Sequence, residues 1–193
     1  MPDFDYLQLT LQRGAAARRA FVDRVRTAGL PAGRSGLFAS QLGWEAAQMA
    51  LLAEAGVDFA ALTAAPEVVS HVAHRLSPTL RPRGEDVLKP GGVYVHRWFE
   101  IDRSSLNEFV DLSGQAWPEF EGGFDANIFG LFLRAPEPAD ADGRAHLLLV
   151  TRYADHGVWE ASRDPSPTAR QAFMRRHELT HSTRAASTLL VAP

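Results

Sequence analysis

The sequence contains no cysteine, which excludes disulfide bonds, thiolate catalysis and metal or iron–sulfur sites held by cysteine. It also lacks any apolar run long enough to span a membrane, since its longest apolar stretches have the length of strands. The first ten residues, MPDFDYLQLT, carry acidic side chains and no long apolar core, so they do not form a signal peptide. These absences predict a cytoplasmic protein that is not inserted into a membrane.

An excess of positive charge is also absent, because 20 Lys and Arg against 23 Asp and Glu give a net charge of −3. The chain therefore has no general attraction for nucleic acid or for anionic lipid. Glycine-rich phosphate loops are missing, and no serine lies in a G-x-S-x-G context. We expect no nucleic-acid partner and no cofactor, while a small-molecule ligand and self-association of the chain stay open.

Hydrophobic periodicity divides the first half into strands and helices in the order β-α-β-β-α-β. Leu7, Leu9 and Leu11 alternate with polar residues, which is typical of a half-buried strand. On the predicted second helix, His71 and His74 lie three residues apart, and we interpret them as part of a partly exposed face. The predicted elements are a strand at 6–12, a helix at 15–28, strands at 35–42 and 45–53, a helix at 58–76 and a short strand at 79–81.

The second half repeats this order after a segment rich in proline, glycine and charge, PRGEDVLKPGG, at 82–92. The sequence therefore predicts a first unit at 1–81, a linker at 82–92 and a second unit at 93–193. Each β-α-β-β-α-β unit is a ferredoxin-like fold, and two such units can cover each other's open sheet faces. The predicted elements of the second half are strands at 93–101, 124–134, 146–153 and 188–191, and helices at 104–116, 158–162 and 167–184.

The second half also resembles a known family. VYVHRWFEIDRSSLNEFVDLSGQAWPEF, LLLVTRYADHGVWEASRD and RRHELTHSTRAASTLLVAP are similar to segments of NIPSNAP-like proteins in the dimeric α/β-barrel superfamily. The resemblance covers roughly residues 92–193, and it implies an α+β fold in which two ferredoxin-like sheets pack as a pseudo-dimeric α/β barrel. It implies much less about activity, since the superfamily includes cofactor-independent monooxygenases, haem-handling enzymes and isomerases.

Residues 177–181 read HELTH, which matches the H-E-x-x-H pattern of zinc metalloproteases. On a helix, His177 and His181 would converge on one zinc ion, and Glu178 would activate the bound water. A catalytic zinc needs a third protein ligand, and the residues after His181 include no His, Asp or Glu. We therefore interpret the segment as an ordinary helix surface and expect no metal, with a zinc metalloenzyme as the remotest alternative.

The main candidate for a ligand site is a row on the first strand of the second half. Tyr94, His96 and Trp98 alternate on one face, where the first half has only tyrosine, glutamine and threonine. Such a row suits a pocket with an apolar wall and one group that titrates near neutral pH. A packed contact between sheets is the more common role of such a row, because these side chains often simply fill a core. If the protein is an enzyme, His96 and Tyr94 are the candidates for catalysis.

Four further residues are candidates for the wall of a pocket: Trp117, Asn127, Arg152 and Trp159. The two tryptophans lie on or near predicted helices that face the second sheet, so they either fill the core or line a space between sheet and helices. Arg152 is the candidate for contact with an anionic group of a ligand.

The leading hypothesis is a NIPSNAP-like protein that binds a small, partly apolar molecule in its second unit. The first alternative is a cofactor-independent monooxygenase or isomerase in which a side chain of the aromatic row moves protons. The second alternative is a non-enzymatic binding or assembly module, in which duplication serves to close the barrel.

Overall fold

Eight antiparallel strands form a closed barrel in the computed structural model, which describes residues 1–141, 143–164 and 167–192, with the backbone alone at 167 and 168. The strand order around the barrel is β1-β3-β2-β8-β5-β7-β6-β4. Each half of the chain contributes four adjacent strands, in the order fourth, first, third, second. The halves meet where β2 pairs with β8 and where β4 pairs with β6. The prediction of two ferredoxin-like units that close into an α/β barrel is confirmed.

The strands are β1 (Phe4–Leu11), β2 (Gly36–Leu42), β3 (Gln48–Glu54), β4 (Val68–Pro78), β5 (Val93–Asp102), β6 (Ala126–Arg134), β7 (Arg144–Tyr153) and β8 (Thr180–Ala192). The helices are α1 (Ala15–Thr27), α2 (Ala60–Thr63), α3 (Leu106–Gly123), α4 (His156–Ala161) and α5 (Pro167–Glu178). A single 3₁₀ turn at Arg103–Ser105 leads from β5 into α3. Among the described residues, no helix is long and apolar enough to cross a membrane.

Alternation along the strands divides the buried residues into an interior core and two outer cores. Tyr6 on β1 and Tyr94 on β5 point into the barrel, where they pack with Phe38, Phe129 and Phe132. The intervening residues of β1 pack against α1, and those of β5 pack against α3 and α5. Because side chains of a strand alternate between faces, the two first strands supply both the barrel interior and the helix-covered surfaces.

The predicted helix at 58–76 is wrong. Only Ala60–Thr63 is helical, and Val68–Pro78 is the long strand β4, which pairs with β1. Pro66 has no N–H to donate and disfavours helical geometry at the preceding residue, so the helix cannot continue through it. The histidines predicted on a helix therefore lie on a strand, where residues three apart face opposite sides; His74 lies opposite Tyr6 and shares its interior face.

The predicted helix at 167–184 ends early, and this changes the interpretation of HELTH. α5 ends at Glu178 and β8 begins at Thr180, so His181 lies on a strand, with its Nε2 3.1 Å from Asp102 Oδ2. The two histidines do not share a helix face, so the zinc geometry is not formed. In the described part of the chain, no group of three or more His, Asp or Glu side chains is placed to hold a metal ion.

Smaller corrections concern the ends of elements. The segment at 79–81 is not a strand of its own, although the N–H of Thr79 donates to the Leu131 carbonyl at 2.9 Å as the chain leaves β4. The last strand begins eight residues earlier than the predicted 188–191, because β8 pairs with β5 along 180–188 as well as with β2. The division into units at 1–81 and 93–193 stays a prediction.

Candidate functional site

Two cavities lie on opposite faces of β5. His96 and Trp98 line a cavity inside the barrel of about 480 Å³, which we call the barrel cavity. Arg97 and Phe99 line a cavity of about 800 Å³ between the sheet and helices of the second unit, which we call the sheet–helix cavity. Both volumes fall within the range of small-molecule sites.

The walls of the sheet–helix cavity consist of aromatic side chains that come from both the sheet and the helices of the second unit. Phe120 of α3 packs edge-on against Phe173 of α5, with ring centroids 5.7 Å apart, and against Tyr153 of β7 at 6.2 Å. The faces of these rings can stack on a planar ligand, and their edges can pack against its face. The aromatic residues of the wall are Phe99, Trp117, Phe120, Tyr153, Trp159 and Phe173.

Arg176 of α5 lies in this wall and is only 7% exposed. Its Nη1 donates to Ser113 Oγ at 3.2 Å, and its guanidinium carbon lies 4.8 Å from the ring centre of Phe173. Among the described residues, no carboxylate forms an ion pair with it. Burial, together with the positive charge of Arg97, lowers the pKa of Arg176 to about 9, so the group stays charged at neutral pH.

Two indole N–H groups add unused hydrogen-bond capacity near the same cavity. Trp117 Nε1 and Trp159 Nε1 are buried and have no partner within the described residues. A buried donor without an acceptor costs free energy, so a ligand that supplies one would recover it. Burial raises the pKa of the Tyr153 hydroxyl, which keeps this wall group protonated.

The barrel cavity is built by both halves of the chain. Gly43, with φ of +91°, turns the chain between β2 and β3 so that its backbone approaches β8; a Cβ there would lie 2.6 Å from the Ala185 carbonyl oxygen. This turn places Trp44 over His96, with ring centroids 5.5 Å apart. From the second half, Trp98 and Arg184 face each other across the β5–β8 pair.

His96 is fully buried beside this cavity, and its Nδ1 lies 2.8 Å from Tyr6 Oη. Burial lowers the pKa of His96 to about 3 and raises that of Tyr6 well above its ordinary value, so both groups are neutral at pH 7. The Gln8 side chain also bonds to the Tyr6 hydroxyl in the sense that lowers its pKa, as an amide N–H donor does, so we assign the hydroxyl proton to the bond with Nδ1. The other ring nitrogen, Nε2, has no partner there.

The remaining sequence candidates, Tyr94, Asn127 and Arg152, lie outside both cavities. Tyr94 packs in the barrel interior and donates to the Lys89 carbonyl at 2.7 Å, and burial raises its pKa to about 12. Both pKa shifts, at Tyr94 and at His96, disfavour proton transfer near neutral pH. Asn127 bonds to Glu121, and Arg152 is held by Asp125 and the Gly91 carbonyl; neither lines one of the two cavities. Of the seven ligand-binding candidates, His96 and Trp98 line the barrel cavity, and Trp117 and Trp159 line the sheet–helix cavity. The other three are neighbours on adjacent strands outside both cavities, since Arg152 pairs in register with Tyr94 and with Asn127.

Sequence reasoning missed Arg176 and His74. Arg176 follows Phe173 by three residues, so helical periodicity alone would have placed both on one face of α5. His74 was assigned to a helix, and only the strand register with β1 turns it toward the barrel interior. No sequence signal reports that register, because it depends on which strands pair.

No protein-family model matches the sequence, and no curated protein sequence matches it significantly. Solved structures do match. An anthrone oxidase-like protein is 10% identical, with a TM-score of 0.60, covering 98% of this chain and 92% of its own. A ferredoxin-fold protein from Listeria monocytogenes related to antibiotic biosynthesis monooxygenases is 12% identical, with a TM-score of 0.52 and coverages of 98% and 95%.

A third similar structure is LmHde, a heme-degrading enzyme from Listeria monocytogenes, at 13% identity, a TM-score of 0.53 and 99% coverage of both chains. At such low identity these similarities show the fold alone. They show that the chain has the ferredoxin-like α/β-barrel fold, here closed within one chain.

Proposed function

We propose that this protein binds a small, partly aromatic molecule with an anionic group in the sheet–helix cavity. The observation that carries the proposal is Arg176, a buried cation without a carboxylate partner among the described residues, in a wall of six aromatic rings. A buried charge is costly to desolvate unless an opposite charge accompanies it. A ligand anion would supply that charge, while its rings would stack on the aromatic wall.

Membership of the NIPSNAP-like family within this fold is part of the proposal. It is supported by the resemblance of residues 92–193, the half of the chain that forms the whole sheet–helix cavity. The binding site then belongs to the second unit alone, and the first unit contributes the sheet that closes the barrel behind it.

The binding proposal is tested with 1-anilinonaphthalene-8-sulfonate, an aromatic sulfonate whose fluorescence rises in apolar surroundings. We expect binding at one site per chain, and about tenfold weaker binding by Arg176→Gln, since truncating one member of a buried charge pair costs at least ~1.4 kcal/mol. Fluorescence titration gives the dissociation constants.

The matched control is Arg175→Gln, the same substitution at the preceding residue. Arg175 is exposed and does not itself line the cavity; it pairs with Glu108 at 2.8 Å and with Glu178, at the edge of the cavity wall, at 3.0 Å. Its variant should bind the probe like the original protein. Equal affinities for the Arg176 and Arg175 variants would rule out the proposed anion site.

A cofactor-independent oxygenation is the second candidate function. The observation that favours it is the pair of guanidinium groups, Arg97 and Arg176, in the same cavity wall. Two cations can stabilise the deprotonated, electron-rich form of an aromatic substrate, which is the form that reacts with O₂. The similar structures described as monooxygenase-related or anthrone oxidase-like support this candidate through the fold alone.

Oxygen uptake with anthrone as the test substrate checks this activity. We expect uptake above the uncatalysed rate, and at least about a tenfold loss of that excess in Arg176→Gln because the substrate anion loses its nearest cation. An oxygen electrode measures it, with Arg175→Gln as the control. If uptake with the protein equals the uncatalysed rate, the oxygenase candidate fails while the binding proposal stands on its own titration.

A further inference from the structure

His74 lines the barrel cavity, on the opposite side of the sheet from the site proposed above. It lies on β4 opposite Tyr6, and its ring centroid is 5.4 Å from that of Trp98. Its side chain is 11% exposed. The histidine is thus at the wall of a closed barrel, with an aromatic ring beside it.

A carboxylate orients this histidine. His74 Nδ1 lies 2.6 Å from Glu137 Oε1, and the other ring nitrogen, Nε2, has no hydrogen-bond partner in the described part of the chain. A carboxylate on one nitrogen favours the tautomer that carries the proton there. The lone pair of the neutral ring then lies on Nε2, so His74 is a proton acceptor held in place by Glu137.

The charges around this pair are arranged to support a proton transfer. Glu137 also pairs with Arg134, with 2.6 Å between Nη1 and Oε2, and Arg134 in turn pairs with Asp140. His146 Nε2 lies 3.3 Å from Asp140 Oδ1. Two carboxylates therefore surround one arginine, which leaves an excess of negative charge beside His74.

A free cation completes the cavity. Arg184 of β8 faces the barrel cavity across the strand pair from Trp98, and it forms no ion pair with any described residue. Glu100 also lines this wall, but it is held by Ser182 Oγ at 3.1 Å and lies 3.7 Å from Arg144. Arg184 is therefore available to a ligand that carries negative charge after losing a proton.

We propose that the barrel cavity is a second ligand site, in which a small planar molecule with an acidic O–H gives its proton to His74. The O–H bond of the ligand breaks and an N–H bond forms at Nε2, so a neutral pair becomes an oxyanion and an imidazolium. Glu137 balances the imidazolium and Arg184 balances the oxyanion. His74 contacts the ligand, whereas Glu137 acts through His74 as a positioning residue.

The probe that tests this is 4-nitrophenol, a planar phenol whose anion is yellow and whose neutral form is nearly colourless. At a pH where the free probe is mostly neutral, we expect the bound probe to show the absorbance of the phenolate. Glu137→Gln should lower the phenolate fraction of the bound probe at least about threefold while binding persists. Arg184→Gln should weaken binding about tenfold, the usual scale for losing one charged contact.

Several controls separate this site from a structural role of His74 and from the sheet–helix cavity. His71→Gln carries the same substitution as His74→Gln on the same strand, at an exposed residue outside both cavities, and should keep the phenolate signal that His74→Gln loses. Arg19→Gln, on the exposed face of α1, is the control for Arg184→Gln. The ether 4-nitroanisole, which has no O–H, should bind more weakly.

Three results would overturn the proposal. The first is a bound probe that stays neutral. The second is a phenolate signal that survives in both His74→Gln and Glu137→Gln, each shown to be folded by circular dichroism. The third is a signal lost in Arg176→Gln but kept in the His74 variant, which would place the probe in the sheet–helix cavity and leave the proposed function intact.

Discussion

Acidification from pH 7 to pH 5 is expected to lower the free energy of unfolding by about 2 kcal/mol through His96 alone. Burial holds the pKa of His96 at about 3 in the folded protein, against about 6.5 in an unfolded chain. The folded state thus binds the proton less well than the unfolded state. The contribution of His96 to the free energy of unfolding is therefore fully present above pH 6.5 and is lost progressively as the pH falls toward 3. By pH 4 the loss is about 3 kcal/mol.

Urea unfolding of the protein and of His96→Gln at the two pH values measures this contribution. Glutamine cannot take up a proton in this range, so the variant should lose about 2 kcal/mol less than the original protein between pH 7 and pH 5. The other histidines and the carboxylates are common to both proteins, so their effects cancel in the difference. If the free energy of unfolding falls equally in the two proteins, His96 is not buried in the way that the structure describes.

Replacing Arg176 by methionine is expected to raise the free energy of unfolding by about 1–2 kcal/mol in the absence of ligand. The guanidinium is buried without a carboxylate among the described residues, and methionine can fill a similar volume among Phe99, Phe109 and Phe173. Ser113 is not orphaned, because its hydroxyl also donates to the Phe109 carbonyl at 2.8 Å. The midpoint of thermal unfolding should rise by a few degrees.

This result separates a binding residue from a structural one. If Arg176 is kept desolvated for a ligand, the Arg176→Met protein should have a higher free energy of unfolding and should bind the sulfonate probe more weakly. A structural arginine would instead lose its ring contacts and its hydrogen bond, and its variant would be less stable. Arg175→Met, at an exposed position, should change stability by no more than about 0.5 kcal/mol.

Local pattern was enough to predict the elements whose burial follows a simple period. β1 and β5 alternate so regularly that their interior and helix-facing residues follow from sequence alone. The element order of the halves then predicted two ferredoxin-like units that cover each other's open sheet faces, and the resemblance of residues 92–193 implied that the two sheets form a barrel. The same reasoning placed Tyr94, His96 and Trp98 on the face that became the barrel interior.

Local pattern failed where long-range pairing outweighed it. Residues 68–76 have apolar positions compatible with a helix, yet they form β4 because β1 offers a partner strand along its full length. The segment after Glu178 is likewise a strand and not a helix, because residues 180–188 pair with β5 and form part of β8. In both places backbone hydrogen bonds to a distant strand replaced those that a helix would have supplied within the segment.

The sequence by itself therefore determined the class of fold, the face on which the aromatic row of β5 lies, and the exclusion of any chemistry based on cysteine. Only the tertiary structure decided which charged groups are left without partners. Arg176, Arg184 and His74 look ordinary in the sequence, and their significance comes from what surrounds them: an aromatic wall without a carboxylate, a barrel mouth, and Glu137 63 residues away. Desolvation and pairing depend on contacts between distant segments, and composition and periodicity carry no record of those contacts.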